Sequence, residues 1–396
     1  MNYFDNSATT PLAPEVVEAM LPYLTAEYGN PSSKYYPLAE NARQAVEDSR
    51  EKVAALIQAK PEEIIFTCGA TESSNMIIKG VADYQKFYEK RGSHLITSSI
   101  EHHATLNTCR YLNGEIYSNH DATFTLDGRG VTVYRGYRVT FLDPDPLGRV
   151  LPEALDNAIR PDTTLATIMW ANNEIGTIND IPALCAAAHR HGVLFHTDAT
   201  QLSGKLPISV KDVPVDFMSL SAHKFHGPKG VGAAYIRGDE YGLPPITAFM
   251  HGGGQESGVR AGTLAVHNIV GFGKAAELAL AGQQARVRRL RQLDAEARAL
   301  FSDTALFELL GDPDSHIPGL LSVIVRKDSF DNERFIRKVS GRCAISSGSA
   351  CTAGEPSHVL QAIGRGDETS RVLRISLSED SSIGELGALV DQLKNL

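Results

Sequence analysis

Lys224 follows an apolar, β-favouring run, Phe217-Met-Ser-Leu-Ser221, and leads into Phe225-His-Gly-Pro-Lys-Gly230. This pattern predicts a buried strand delivering a loop. Among Ser221, His223 and His226, Lys224 is a poor solubility device and a good candidate for an amine whose charge is suppressed by burial. Such an amine can form a Schiff base with an aldehyde. A lone lysine beside a Gly-Pro turn is ordinarily a surface group, and what reverses that reading is Asp198. Upstream, Val193-Leu-Phe195 follows a glycine as a short apolar strand, and Asp198 falls at its carboxyl end. Ligands of open α/β sheets bind outside the carboxyl ends of the strands, so Asp198 and Lys224 are expected to face one crevice. Pyridoxal phosphate chemistry needs such a pair: a lysine for the aldehyde and a carboxylate that keeps the pyridine nitrogen protonated. At about 4 Å the carboxylate gives roughly 4 kcal/mol at an effective dielectric near 20, or about three pK units.

Further stretches supply candidate partners. Thr67-Cys-Gly-Ala-Thr-Glu-Ser-Ser-Asn75 runs a glycine turn into an apolar helix, whose first N–H groups can cradle a phosphate. Glu101-His102-His103 closes the strand predicted over 94–100. Neighbouring side chains of extended chain face apart, so the two imidazoles do not readily share a metal, and no metal site is expected. Cys351 sits among small polar residues, Ser346-Ser-Gly-Ser-Ala-Cys351-Thr-Ala-Gly354, as an accessible thiol whose reactive form is the thiolate. Arg374 lies in Val372-Leu-Arg-Ile-Ser-Leu377, and its guanidinium fork suits a carboxylate.

The elements positioning these groups belong to a chain of 396 residues, 42% hydrophobic, enough for a large core and more than one simple domain. A net charge of −9 without a Lys/Arg block argues against a direct grip on nucleic acid. Five scattered cysteines with no C-x-x-C argue for a reduced compartment and against a disulfide framework or zinc ribbon. No leader pattern and no apolar stretch of spanning length is present. The expectation is a cytoplasmic α/β protein without a membrane segment.

Asp198-Ala-Thr-Gln201, Ser221-Ala-His-Lys224, Asn172-Asn-Glu-Ile-Gly176 and Ser346-Ser-Gly-Ser-Ala-Cys351 together resemble the cysteine desulfurases, in the class V aminotransferase branch of the type I pyridoxal phosphate enzymes. The resemblance covers nearly the whole chain, in order. It implies an α/β type I fold, with a large domain on a mainly parallel seven-stranded sheet and a small α/β C-terminal domain. The expected division is 15–264 for the large domain, with 1–14 and 265–396 forming the small one. By the same resemblance Lys224 is the Schiff-base lysine, Asp198 the pyridinium partner, and His102 (over His103) the stacking acid/base group. Asn173 and Gln201 hold the ring hydroxyl; Ala70, Thr71, Ser221 and His223 hold the phosphate. Thr263 reaches the phosphate of the other subunit, which implies a homodimer. Arg374 takes the substrate carboxylate, with Asn173 beside it, and the run Asp5 to Pro11 crosses the mouth of the site.

The implied reaction converts L-cysteine to L-alanine, parks sulfur as a persulfide on Cys351 and passes it to an acceptor protein. Rival readings are a selenocysteine lyase, an aminotransferase of the same branch and a non-catalytic scaffold. Several stretches depart from the family pattern. Tyr35 replaces a usual histidine, Cys68 a usual serine, and Ser378-Glu-Asp380 a usual Gly-Arg. The loop after Cys351 is short. An insert over about 114–140 alternates in period two around Asp127-Gly128, from Thr123-Phe-Thr-Leu to Tyr137-Arg-Val-Thr-Phe141, and predicts an added β-hairpin.

Overall fold

The architecture is that of a computed structural model, which describes residues 1–115, 125–126, 129–130, 134–243, 246–348 and 356–396. The chain opens with β1 (Asn2–Tyr3), then α1 (Pro14–Thr25) and α2 (Pro37–Ile57), each with a proline at its first position. A proline there loses no hydrogen bond and is pre-set for helix. Ala39, Ala42, Val46, Val53 and Ile57 recur at helical spacing and line the buried face of α2.

A run of β/α units builds the main sheet. It comprises β2 (Ile64–Thr67), α3 (Ala70–Phe87), β3 (His94–Ser98) and α4 (His103–Leu112). After the short β4 (Thr125–Leu126) and β5 (Arg129–Gly130) come β6 (Arg138–Leu142), α5 (Pro152–Ala158), β7 (Thr163–Thr167) and α6 (Ile181–Arg190). Next are β8 (Leu194–Asp198), β9 (Phe217–Ser221) and β10 (Gly232–Ile236). The seven-stranded order is β2-β10-β9-β8-β7-β3-β6. Only β10 runs antiparallel to its neighbours. Strands covered on both faces must be apolar or internally hydrogen-bonded, and β3, β7, β9 and β10 are buried throughout.

The remaining chain adds α7 (Val266–Ala281), α8 (Gln283–Leu300), β11 (Phe307–Leu310), β12 (Leu320–Val325) and α9 (Asn332–Val339). It closes with β13 (Cys343–Ala344), α10 (His358–Ala362), β14 (Val372–Ser376) and α11 (Ile383–Lys394). Strands β11, β12 and β14 make an antiparallel sheet, and β1 pairs with β13, so both chain ends meet. Phe4 packs in one cluster with Leu321, Val323, Leu373 and Ile375.

Two expectations change. Val266 to Leu300 reads in the sequence as one long helical stretch, but it breaks at Gly282, the C-cap of α7 and N-cap of α8. Val266, Ile269 and Phe272 of α7 join the large core, together with Val16, Val46 and Val53. The large core therefore runs past residue 265. In the insert, β4 and β5 pair antiparallel across Asp127-Gly128, whereas the segment from Arg138 is the edge strand of the main sheet, parallel to β3. Val139 and Phe141 pack on the cluster of Ile77, Val81 and Leu95, which is why the alternating pattern continues there without belonging to a hairpin. Thr123, Phe124 and 131–133 lie outside the described residues.

Candidate active site

Strands β8 and β9 lie side by side and parallel, with Asp198 in register with Ser219. Asp198 ends β8, and β9 ends at Ser221, three residues before Lys224 in a single 3-10 turn. Both therefore emerge at the carboxyl edge of the sheet, on the wall of a cavity of about 480 Å³. Ala70, Thr71, His102, Asn173, Gln201, Ser221 and His223 line the same cavity. Nine residues widely separated in sequence thus converge because their strands end together.

At one end of the cavity stands the N-terminus of α3. Gly69, at φ +153°, caps it in a conformation that side chains rarely adopt, and it lies against Gly232, where a Cβ would come 2.7 Å from Gly69 Cα. The first N–H groups of α3 thus face the space shared with Ser221 and His223, an anion cradle. Glu72, in the first turn, would repel an anion there. Arg260 neutralises it, with Nε donating to Oε1 at 2.7 Å and Nη2 to Oε2 at 3.2 Å. Burial pushes the Cys68 thiol up to about 11, helped by Glu72, so this cysteine at the rim is not a ready thiolate.

Asp198, also on the lining, is buried and accepts from Thr200 N at 2.9 Å. The Thr200 hydroxyl, on the same wall, is buried without a hydrogen-bond partner. His102 caps α4, its Nδ1 accepting from Ala104 N at 3.1 Å. The neutral ring therefore carries its proton on Nε2. Burial holds His102 below the ordinary histidine range, and the Asp198 charge opposes this. His223 is lowered to about 4 by burial and by Lys224, and is neutral.

The N-terminal segment closes the site as a strap. Lys224 Nζ donates to Ser7 O at 2.6 Å and Ala8 O at 2.9 Å, and Gln201 Nε2 donates to Ser7 O at 3.0 Å. Thr10 N donates to His223 O at 3.0 Å, while Asp5 bridges to Ser376 on β14.

Arg374 lines an adjoining cavity of about 80 Å³, with His102, Asn173, Lys224, Glu174 and His358. It is 2% exposed. Its Nη1 donates to Asn173 O (3.0 Å) and Gly348 O (2.9 Å), its Nη2 to Asp5 Oδ1 (2.8 Å), and its Nε is buried without a partner. Cys351 lies outside the described residues, but both flanks of its segment are tied here. Gly348 is held by Arg374, Ser357 Oγ donates to Glu174 Oε2 at 2.6 Å, and His358 Nε2 donates to Glu101 O at 2.9 Å. Thr263 is exposed and lines neither cavity. The residue reading did not single out Thr200, Glu174, Lys205 or His358 for the site, since no spacing rule marks a group that arrives by tertiary packing.

The donor set fits pyridoxal phosphate: an anion cradle, an amine and a carboxylate on one wall, with the Thr200 hydroxyl and Arg374 Nε buried and unpartnered on residues lining the two cavities. Among the described residues no helix is long and apolar enough to cross a membrane. Comparison with known proteins agrees with the geometry. Residues 2–389 match the family described as Aminotransferase class-V. The chain is 41% identical to cysteine desulfurase IscS of Methylococcus capsulatus (strain ATCC 33009 / NCIMB 11132 / Bath), over 99% of this chain and 91% of that protein. Among solved structures, a NifS-like protein superposes with a TM-score of 0.86 at 33% identity, covering 100% of this chain and 99% of that one. SspA in complex with cysteine gives 0.79 at 37% identity, covering 96% and 100%. On this evidence the chain belongs to the class V aminotransferase family and, within it, to the pyridoxal phosphate-dependent cysteine desulfurases.

Proposed function

We propose that this enzyme takes sulfur from L-cysteine, releases L-alanine and holds the sulfur as a persulfide on Cys351 for delivery to an acceptor protein. The observation that carries the reading is the delivery of Lys224 and Asp198 by adjacent parallel strands to one cavity, with Arg374 next to it. Pyridoxal 5'-phosphate supplies an electron sink when bound. Ala70, Thr71, Ser221 and His223 would hold its phosphate, Asp198 its ring nitrogen, Asn173 and Gln201 its ring oxygen, and Lys224 its aldehyde carbon. The strap carbonyls of Ser7 and Ala8 stabilise a proton on Lys224 Nζ, so that this amine can carry a proton within the site. His102 presents Nε2–H to the same cavity. Arg374 grips the substrate carboxylate and, through Asn173 O, ties that grip to a ring contact.

In net terms, cysteine and the Cys351 thiol give alanine and the Cys351 persulfide. The substrate C–S bond breaks, an S–S bond forms, and the thiol proton balances the new C–H bond of alanine. The anchored flanks at Gly348 and Ser357 support Cys351 as the carrier. Thr263, exposed and lining neither cavity, suits a contact across a homodimer, and the free thiols of Cys68, Cys109, Cys185 and Cys343 suit a reducing cytoplasm.

The test is product analysis of the cofactor-loaded enzyme with L-cysteine and a reductant. Alanine and sulfide should appear in equal amounts. A marked preference for selenocysteine would move the assignment to a lyase, and amino-group transfer from cysteine to a keto acid would move it to an aminotransferase.

A further inference from the structure

Lys205 is an amine beside the site that the proposed reaction does not use. After β8 the chain coils for one turn, with Ser203 N donating to Ala199 O at 2.9 Å and Lys205 N to Leu202 O at 3.0 Å. Residues four apart on such a turn share a face. Lys205 Nζ donates to Gln201 Oε1 at 3.2 Å, while Gln201 Nε2 donates to Ser7 O at 3.0 Å. Both contacts demand one orientation of the buried amide, oxygen toward the lysine and nitrogen toward the strap. The amide nitrogen has two hydrogens. One goes to Ser7 O, and the other remains for the cavity that Gln201 shares with Lys224 and Asn173. A reversed amide would set its N–H groups against the Lys205 amine, donor against donor, and turn its oxygen to the strap carbonyl.

We propose that Lys205 is a positioning residue for the cofactor, holding the Gln201 amide so that an N–H, and not the carbonyl oxygen, meets the ring oxygen. The inference rests on the reading of Gln201 as a ring contact. Burial, then the positive Lys224 and Arg374, lowers the Lys205 amine to about 7. The other charged or titratable groups on its small cavity are Arg286, Glu379 and His226. Glu379 is already taken by Arg286 at 2.8 Å. No carboxylate pairs with Lys205 among the described residues, so no ion pair offsets the cost of burying its amine. Protonated, the amine is donor-only and fixes the amide's orientation; neutral, it still has an N–H to donate, and the Ser7 carbonyl is then what disfavours the reversed amide.

The test compares Lys205→Met, Gln201→Ala and the double variant as holoenzymes. Two quantities are read: the cofactor dissociation constant by equilibrium dialysis, and the pH midpoint of the bound cofactor's absorbance. A donor to the ring oxygen favours its deprotonated form, so losing that donor raises the midpoint. Lys205→Met should weaken cofactor binding about 3- to 10-fold and raise the midpoint by about half a unit to one unit. Gln201→Ala should do at least as much, and the double variant no more than Gln201→Ala alone. Lys205→Arg, which keeps a donor, should restore most of the midpoint. If Gln201→Ala moves both readings and Lys205→Met moves neither, the positioning role is overturned while the ring contact stands. If Gln201→Ala moves neither, the ring contact itself falls and the proposal with it. Should Lys205→Met not fold, Lys205→Gln, too short for the same contact, is read instead: a raised midpoint supports the role and an unchanged one overturns it.

Discussion

Replacing Arg374 with lysine asks whether the guanidinium fork, and not merely its charge, binds the substrate. Arginine has five N–H donors. Nη1 is committed to Asn173 O and Gly348 O, and one Nη2 hydrogen to Asp5 Oδ1. What remains is one Nη2 hydrogen and the Nε hydrogen, whose nitrogen is buried and unpartnered. These two lie on one edge of the planar group, at the spacing that a carboxylate's oxygens match. Lysine keeps the charge but cannot hold three protein oxygens and a second carboxylate together. Losing one charge-assisted hydrogen bond costs about 1.5–3 kcal/mol, which corresponds to a rise of about 10- to 150-fold in KM for L-cysteine. The assay is the initial rate of alanine formation against cysteine concentration, at saturating cofactor, with cofactor affinity measured separately. KM should rise more than kcat falls, and cofactor affinity should hold. An unchanged KM with a lowered kcat would rule out a substrate grip and leave Arg374 as a tie for Asp5 and the strap.

Three further outcomes follow from the geometry. Buried His94 and His196 are each lowered to about 4 by burial. The unfolded chain therefore binds their protons first as pH falls below about 6.5. The contribution of this pair, read as the difference in urea midpoint between the wild type and the His94→Gln/His196→Gln variant across pH, should be level above that pH, decline toward about 4 and flatten below; a constant difference between about pH 6.5 and 4 would contradict it. Arg260→Ala leaves Glu72 unneutralised at the start of α3 and should weaken cofactor binding about 3- to 10-fold. Adding Glu72→Gln should recover most of that loss in the same dialysis measurement. Gly232→Ala would place a Cβ 2.4 Å from Leu220 O and 2.7 Å from Gly69 Cα, both backbone atoms. It should cost about 1–3 kcal/mol in chemical denaturation, with weaker cofactor binding because the turn into α3 shifts.

Much of the site was legible because its chemistry sits at strand ends. Apolar runs marked β8 and β9, and the polar residues that close them, Asp198 and Ser221-Ala-His-Lys224, are where such strands release their side chains. The turn into α3 was readable from Gly69. Other contributions arrive from distant chain. Nothing local marks the carbonyls of Ser7 and Ala8 as partners of Lys224, more than two hundred residues away. Asp5 meets Arg374 only because β1 and β14 are brought to one sheet edge. The edge strand Arg138–Leu142 was misplaced because period-two alternation is the same in a hairpin and in a half-covered edge strand. The break at Gly282 was missed because helical spacing continues on both sides of it, and only packing against two different cores separates the halves.

In the proposed reaction Lys224 enables sulfur to move from L-cysteine to Cys351. Mass spectrometry of the enzyme after one turnover with L-cysteine, without reductant, addresses it most directly. One added sulfur atom is expected on the peptide containing Cys351 in the wild type, matched by one alanine, and none in Lys224→Ala. Sulfur on Cys68 in place of Cys351, or equal loading of Cys351 in Lys224→Ala, would contradict it.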